Sequence, residues 1–241
     1  MSGGMRLGQR IREFCPRRIW AGLAVVVLLS AVSPNRLRAE QFPQICDEKA
    51  DFALGIEDYP GAIRLHEKIV RDHPGDALAH YHLGFAYGMS GDHAGELREY
   101  LAARQLGLRG WDFLLNLGLL HLDRDDPREA IAVLKEAAGV EPRHAEIHFN
   151  LGLAYQRSGE PQRAIAEISE SLRLDPAQPD SENELAVLYA ETGNLSPARA
   201  IWTQLLRTDP DYQPAQRNLA ILRTMAYDRS SRLMLSATIP Q

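Results

Sequence analysis

Cysteine is nearly absent from this chain of 241 residues, which contains only Cys15 and Cys46. Two cysteines exclude a fold held by several disulfides and a zinc site built from cysteines alone. Glycine (18) and proline (14) are too few for a collagen-like or wholly disordered chain. Basic residues do not outnumber acidic ones, and the net charge of −5 argues against bulk nucleic-acid binding. Hydrophobic residues make up an ordinary 45%, which over this length is enough to bury a core.

The segment at 1–39 differs in charge from the rest of the chain. It contains seven arginines and one acid, whereas residues 40–241 contain 20 basic and 31 acidic residues. An apolar to weakly polar run from Ile19 to Val32 follows most of these arginines. As a helix this run would reach about 21 Å, short of the roughly 30 Å hydrocarbon core of a membrane. The layout is typical of a secretory signal peptide cleaved after Ala39. It also fits an uncleaved anchor, in which residues 19–32 tether the protein to the inner membrane.

A regular internal repeat with a 34-residue period organises most of the remaining sequence. Prolines recur at this step, with one position missing, at Pro74, Pro142, Pro176 and Pro210. A leucine followed by a small residue keeps the same step at Leu83-Gly84, Leu117-Gly118, Leu151-Gly152, Leu185-Ala186 and Leu219-Ala220. A fixed period of this length is typical of a solenoid, in which stacked units bury a continuous core that no unit could bury alone.

Each unit reads as a pair of helices. Between residues 145 and 178 the apolar residues recur at helical spacing in two runs, Ile147, Leu151, Ala154 and Tyr155, then Ala164, Ile165, Ile168 and Leu172. Gly159 breaks the pattern between the two runs, and Pro176 follows the second. Gly152 and Ala164 are small, which predicts a close approach of the two helix backbones.

These positions resemble the tetratricopeptide repeat family over most of the chain, from position 43 to about position 230. The resemblance implies an all-α fold, a right-handed solenoid of antiparallel helix pairs. The predicted domains are a signal peptide or anchor at 1–39, five repeats within 43–212, a capping helix at 213–230 and a flexible tail at 231–241. The second repeat departs from the pattern, with Glu96 in place of a small residue and Leu108 in place of proline. This predicts a displaced second helix or a kinked junction near Gly107, unless the drift is simply tolerated.

The resemblance also implies a concave groove lined by the first helix of each repeat. One row of residues at the 34-residue step is apolar from Phe85 onward, and a neighbouring row is rich in asparagine. Such a surface suits an extended or helical peptide, because apolar contacts supply affinity and amides bind the peptide backbone. The predicted peptide-binding residues are Tyr81, His82, Phe85, Leu115, Asn116, Leu119, Phe149, Asn150, Leu153, Asn183, Val187 and Asn218. Two alternatives remain, that these residues only pack the superhelix and that self-association buries them.

Motifs for chemistry are missing from the sequence. It contains no nucleophile elbow, no phosphate-binding glycine loop and no His-Glu-x-x-His. His80, His82, His144 and His148 lie near one another in pairs, but no third metal ligand follows at a telling spacing. Cys46 falls in the packing position of the first repeat, which indicates a buried, inert thiol. We therefore expect no catalytic residue, no metal site and no cofactor.

Together these features predict a non-enzymatic adaptor, exported to the periplasm or anchored to the inner membrane, that binds a protein or peptide and no nucleic acid. Exported relatives with this repeat serve in envelope assembly, pilus biogenesis and cytochrome maturation. The resemblance therefore leaves open an accessory subunit of an envelope enzyme or assembly machine. A structural homo-oligomer is a further alternative. The tail at 231–241 is either disordered or folded over an apolar surface.

Overall fold

The computed structural model describes residues 46–224. The predicted signal peptide or anchor at 1–39, its membrane tether at 19–32 and the tail at 231–241 lie outside the described residues, as does the last part of the predicted capping helix. Within residues 46–224, no helix combines the length and the hydropathy that crossing a membrane requires.

Residues 46–224 fold entirely into helices and the turns between them, which confirms the predicted all-α class. A last helix, α11, occupies 213–224. The ten helices before it are α1 (Glu48–Gly55), α2 (Tyr59–Asp72), α3 (Ala77–Ser90), α4 (His93–Gln105), α5 (Trp111–Asp123), α6 (Pro127–Val140), α7 (Ala145–Arg157), α8 (Pro161–Leu174), α9 (Pro179–Glu191) and α10 (Leu195–Thr208).

The helices follow the 34-residue period of the sequence. The odd-numbered helices from α3 onward begin at 77, 111, 145, 179 and 213, and the even-numbered ones at 59, 93, 127, 161 and 195. The turn between the two helices of each pair keeps the same period. Each of these turns has one residue in the left-handed conformation, with φ between 61° and 89°: Glu57, Gly91, Asp125, Gly159 and Gly193. Glycine suits this position because it has no Cβ to clash in the left-handed region.

Local capping explains several helix starts. Asp47 and Asp76 each accept hydrogen bonds from two backbone N–H groups of the following helix, at 2.9–3.0 Å. Asp58 and Asp92 each accept one, from Gly61 and Gly95. These bonds satisfy N–H groups that have no partner inside the helix.

In two of the repeats, the two helices of a pair approach closely at the glycine that follows the in-phase leucine. A Cβ added to Gly152 of α7 would lie 2.4 Å from Ile168 Cγ1 of α8 and 3.2 Å from the Ala164 carbonyl oxygen. One added to Gly84 of α3 would lie 2.5 Å from the ring of Tyr100 on α4. The predicted close approach therefore requires glycine at both positions.

The second repeat keeps its phase despite its unusual residues. Helices α4 and α5 each begin one full repeat period after α2 and α3, and α4 ends at Gln105 before a left-handed Gly107. Glu96 is buried in the small-residue position because Gly88 opposite it has no side chain. A Cβ on Gly88 would lie 2.5 Å from Glu96 Cδ.

The chain forms two compact units, which comprise residues 46–120 and 121–224 of the described part. In the first, Tyr81, Tyr100 and Phe113 form a buried aromatic group with ring centroids 5.4–5.8 Å apart. In the second, buried Trp202 and Leu205 of α10 pack with residues of α9 and α11 such as Val187 and Leu222.

Candidate functional site

The predicted peptide-binding residues divide by exposure into two groups. Five are half-buried, with part of the side chain open to solvent: Phe85, Asn116, Leu119, Phe149 and Leu153. The other seven are buried: Tyr81, His82, Leu115, Asn150, Asn183, Val187 and Asn218. The open surface is therefore narrower than the sequence suggests, and it is mainly apolar.

In the first unit, α3 and α5 supply this surface. Phe85 lies on α3 and Leu119 one repeat later on α5, and both are half-buried. Tyr81 instead packs into the aromatic core, where its ring meets Phe113 edge-on with centroids 5.4 Å apart. The Asn116 amide donates a hydrogen bond to the Tyr81 hydroxyl at 2.7 Å. One of the predicted amides is thus engaged inside the protein.

In the second unit, Phe149 and Leu153 are the open apolar side chains. They are four residues apart on α7 and therefore share one face of that helix. The amide of Asn150 donates to the Glu146 carbonyl at 2.9 Å. Asn183 is buried and accepts hydrogen bonds from Trp202 and from Asn218. These amides connect helices of the repeats to one another or to their own backbone.

His80 and His148 have the same structural role two repeats apart. Each Nδ1 lies 2.7–2.8 Å from a glutamate of the paired helix, Glu99 or Glu167. Each Nε2 lies 3.0–3.2 Å from the carbonyl oxygen of the proline that precedes the repeat, Pro74 or Pro142. Both nitrogens of each ring therefore have a partner within the protein, and each ring connects a helix pair to the turn before it.

A second feature is a group of four side chains in the first unit, Cys46, Asp51, His66 and His82, which we call the Cys-Asp-His-His cluster. One donor atom from each lies within 4.8 Å of those of the other three. Asp51 Oδ1 is at the centre, 2.7 Å from His82 Nδ1 and 3.1 Å from His66 Nε2. The Cys46 Sγ lies 3.5 Å from the same oxygen and 3.4 Å from His82 Nδ1.

Successive elements bring the cluster together. Cys46 precedes α1, Asp51 lies on α1, His66 on α2 and His82 on α3. The His66 ring is fully buried, whereas the Asp51 side chain is 19% exposed. Asp51 Oδ2 also accepts a hydrogen bond from the backbone N–H of Cys46 at 3.0 Å, which holds the segment before α1 against the helix.

Burial and charge set the protonation of the cluster. Burial, together with the nearby Asp51 carboxylate, raises the pKa of the Cys46 thiol far above its usual value. Burial lowers the pKa of His82, partly offset by Asp51. Burial acts to raise the pKa of Asp51, but the charge of His82 and hydrogen bonds from His66 and Cys46 outweigh it and lower that pKa. The thiol is thus protonated and Asp51 is ionised at neutral pH.

Sequence reasoning assigned Cys46 to packing and His82 to the groove. It placed Asp51 in the apolar row as the one polar member, in the first repeat, without giving it a role, and it did not consider His66. The repeat phase itself carries the missing signal. His66 occupies the core position that Tyr100, Leu134, Ile168 and Trp202 fill in the later repeats. Asp51 occupies the position of Phe85, Leu119, Leu153 and Val187. Two polar residues in otherwise apolar positions of the same repeat indicate a local function.

Two sequence profiles of the tetratricopeptide repeat match the chain, one at residues 48–107 and 115–179 and the other at 157–221. None of the curated proteins compared with the chain matches it.

Several solved structures share the fold. YrrB, described as a TPR protein with an unusual peptide-binding site, is 20% identical, with a TM-score of 0.66 over 70% of this chain and 87% of YrrB. MamA of Desulfovibrio magneticus RS-1 is 18% identical, with a TM-score of 0.64 over 70% of this chain and 99% of MamA. TTC0263 of Thermus thermophilus is 24% identical, with a TM-score of 0.53 over 72% of this chain and 95% of TTC0263.

Proposed function

This chain belongs to the tetratricopeptide repeat family, and we propose that it is a non-enzymatic scaffold that binds a peptide or protein segment on half-buried apolar side chains of the second unit, Phe149 and Leu153. Phe85 and Leu119 are half-buried apolar side chains of the first unit. Repeat proteins of this kind present extended surfaces to their partners.

The observation that carries the proposal is the partial exposure of Phe149 and Leu153. Both are large apolar side chains, one turn apart on α7, and neither is buried. The residues of α7 that pack inward, such as Ile147 and Leu151, are buried. Helix α7 therefore has an apolar face beyond the one that its own core needs, and apolar anchors at helical spacing are suited to binding a partner segment.

The solved structures support a peptide ligand by analogy of fold alone. YrrB is described as having a peptide-binding site. In the present chain the half-buried apolar side chains, rather than the asparagines, would supply most of the affinity, because Asn150, Asn183 and Asn218 are engaged within the repeats.

We place the scaffold in the bacterial cell envelope, on the basis of the basic, then apolar, sequence at 1–39. In this proposal the acidic remainder of the chain, with 31 acidic and 20 basic residues, favours a basic or amphipathic segment as partner. Periplasmic and cytoplasmic fractions, probed with an antibody to the chain, test the location. Recovery of the protein only in the cytoplasm would reject it.

Selection from a displayed peptide library on the immobilised full chain tests the groove. A selected peptide should bind the Phe149→Asp/Leu153→Asp variant at least about tenfold more weakly, because the charges disrupt an apolar contact. Val140→Asp is the matched control, since Val140 is an apolar residue that is 50% exposed and lies on a second helix, α6. It should bind like the parent protein.

Equal binding by the double variant and the control, with circular dichroism showing that both fold, would reject the groove. If no peptide is selected from libraries that yield binders for another tetratricopeptide protein, peptide recognition is rejected too.

Self-association is a second candidate, because two large apolar side chains are exposed close together, Phe52 on α1 and Ile56 directly after it. Phe52 is 65% exposed and Ile56 is 58% exposed, and they lie one turn apart. Light scattering of the full chain at high concentration tests it. A dimer or larger oligomer that Phe52→Asp dissociates would support this candidate, whereas a monomer rejects it.

A further inference from the structure

We propose that the Cys-Asp-His-His cluster is a binding site for one divalent transition-metal ion of the zinc type, coordinated by the Cys46 thiolate, an Asp51 oxygen and one nitrogen each of His66 and His82. The inference is independent of the proposed peptide groove.

The ligand types match the ion. Zinc in proteins is bound by cysteine sulfur, histidine nitrogen and carboxylate oxygen, and four such ligands make a tetrahedral site. Magnesium and calcium prefer sites made only of oxygen, so the thiol and the two imidazoles exclude them here.

The distances fit a site that a small movement would complete. With metal–ligand bonds of about 2.0–2.3 Å, tetrahedral ligands lie about 3.3–3.6 Å from one another. Cys46 Sγ lies at 3.4 Å from His82 Nδ1 and at 3.5 Å from Asp51 Oδ1. The 3.1 Å between Asp51 and His66 must open slightly, and the 2.7 Å between Asp51 and His82 must open by about half an ångström.

His66 is oriented as a metal-binding histidine usually is. Its Nδ1 lies 2.9 Å from the Ala62 carbonyl oxygen, an acceptor that fixes the proton on Nδ1. The Nε2 of the neutral ring then has a lone pair directed at the cluster. A hydrogen bond from the second nitrogen to a backbone carbonyl is the common arrangement around metal-bound imidazole.

The second nitrogen of His66 faces an acceptor as well. Nε2 faces the Asp51 carboxylate, which accepts hydrogen bonds but cannot donate them. The ring is fully buried, so both nitrogens must find their partners inside the protein. A metal ion between Nε2 and Asp51 would be bound by both atoms, and the Cys46 sulfur and a His82 nitrogen lie close enough to complete the set of ligands.

Binding would release the proton of the Cys46 thiol to the solvent. The Cys46 thiol loses its proton when the sulfur–metal bond forms, because a coordinating thiol is deprotonated by the ion despite its raised pKa. The hydrogen bond from Cys46 to Asp51 Oδ1 and the contact of His66 Nε2 with the same oxygen are replaced by metal bonds. The partly exposed Asp51 leaves a path by which the ion can enter.

Four protein ligands leave no open position for substrate, so the site is structural rather than catalytic. It would join the segment before α1 to α1, α2 and α3. At the position of His66, the later repeats have a buried leucine, isoleucine or aromatic side chain that packs in the core. A metal bridge would compensate the first repeat for that missing packing.

Metal titration of the tag-free full chain, after treatment with a chelator, tests the site. We expect one Zn²⁺ per chain, a rise in melting temperature with Zn²⁺ and a thiolate-to-metal charge-transfer absorption with Co²⁺. Cys46→Ser should abolish that absorption, and both Cys46→Ser and Asp51→Asn should weaken binding at least about tenfold. Neither variant removes a large buried side chain, so the fold should persist.

Two matched controls keep the result specific. Cys15→Ser removes the other cysteine, and His148→Ala removes an imidazole that is paired with a carboxylate outside the cluster. Both should retain one high-affinity ion and the cobalt absorption. Binding of less than half an equivalent of Zn²⁺ by the full chain would overturn the proposal. Equal metal affinity in Cys46→Ser, Asp51→Asn and His148→Ala would overturn it as well.

Discussion

The indole Nε1 of Trp202 donates a hydrogen bond to Asn183 Oδ1 at 2.9 Å. Both residues are buried, and the Asn183 oxygen also accepts a hydrogen bond from Asn218 at 3.1 Å. Helices α9, α10 and α11 therefore meet at one side-chain oxygen. The asparagine that the sequence assigned to a ligand surface connects three helices of the repeat array.

Asn183→Ala should lower the free energy of unfolding by about 1–3 kcal/mol, because two buried donors lose their acceptor. Urea unfolding measures the change. In Trp202→Phe, which removes the indole N–H, the same Asn183→Ala substitution should cost less. Additive effects of the two substitutions would show that the hydrogen bond does not couple the helices.

Gly152→Ala should destabilise the protein by about 1–3 kcal/mol, because its Cβ would lie 2.4 Å from Ile168 Cγ1 and 3.2 Å from a backbone oxygen that cannot move away. Gly139→Ala is the matched control in α6, where a new Cβ meets nothing within 4 Å. It should stabilise the protein by up to about 1 kcal/mol, as alanine favours a helix over glycine. Thermal and urea unfolding compare the two. A similar sign for both would contradict the close helix contact.

Glu57→Gly should stabilise the protein by up to about 1 kcal/mol. Glu57 has a left-handed backbone conformation, with φ 62°, which is unfavourable for a residue with a Cβ and costs glycine little. Gly159→Ala at the equivalent turn, with φ 81°, should have the opposite effect. Chemical denaturation of the two variants beside the parent protein is the measurement. If both changes are neutral, the strained turn does not contribute to stability.

Tyr87→Phe should make the stability less sensitive to alkaline pH. Burial, with the hydrogen bond and charge of Glu67, raises the pKa of Tyr87 to about 12. In the unfolded chain the Tyr87 hydroxyl has a pKa of about 10. Between pH 10 and 12, Tyr87 therefore keeps its proton in the folded protein and has lost it in the unfolded chain. Stability that is fully present below pH 10 is therefore lost towards pH 12. Glu67→Gln should show a smaller effect in the same direction, since it removes the charge at the end of a 2.8 Å hydrogen bond. An identical slope of unfolding free energy against pH in the parent and in Tyr87→Phe would contradict this.

The positions of the helices could be predicted from the sequence, because they depend on residues close together in the chain. Gly159 at a turn, Asp76 at a helix start and the spacing of Ile147 and Leu151 act over one or two helical turns. Gly152 was recognised for the same reason, as a small residue is needed wherever two helices of one pair touch. The exposure of the groove residues could not be predicted from the sequence. Asn183 and Phe149 occupy the same position in successive repeats, yet Asn183 is buried and hydrogen-bonded to two other helices, whereas Phe149 is half-buried.

The scarcity of cysteine excluded a cysteine-only metal site, and that inference stands on the sequence alone. The 34-residue phase likewise determined the repeat family, because each repeat must present the same apolar positions to its neighbours. Only the tertiary structure decided what the cysteine contacts. Cys46, Asp51, His66 and His82 are separated by as many as 36 residues, and their donor atoms lie together only because α1, α2 and α3 pack side by side. A contact between helices depends on which faces meet, and the spacing of these side chains along the chain carries no such information until the helices are in place.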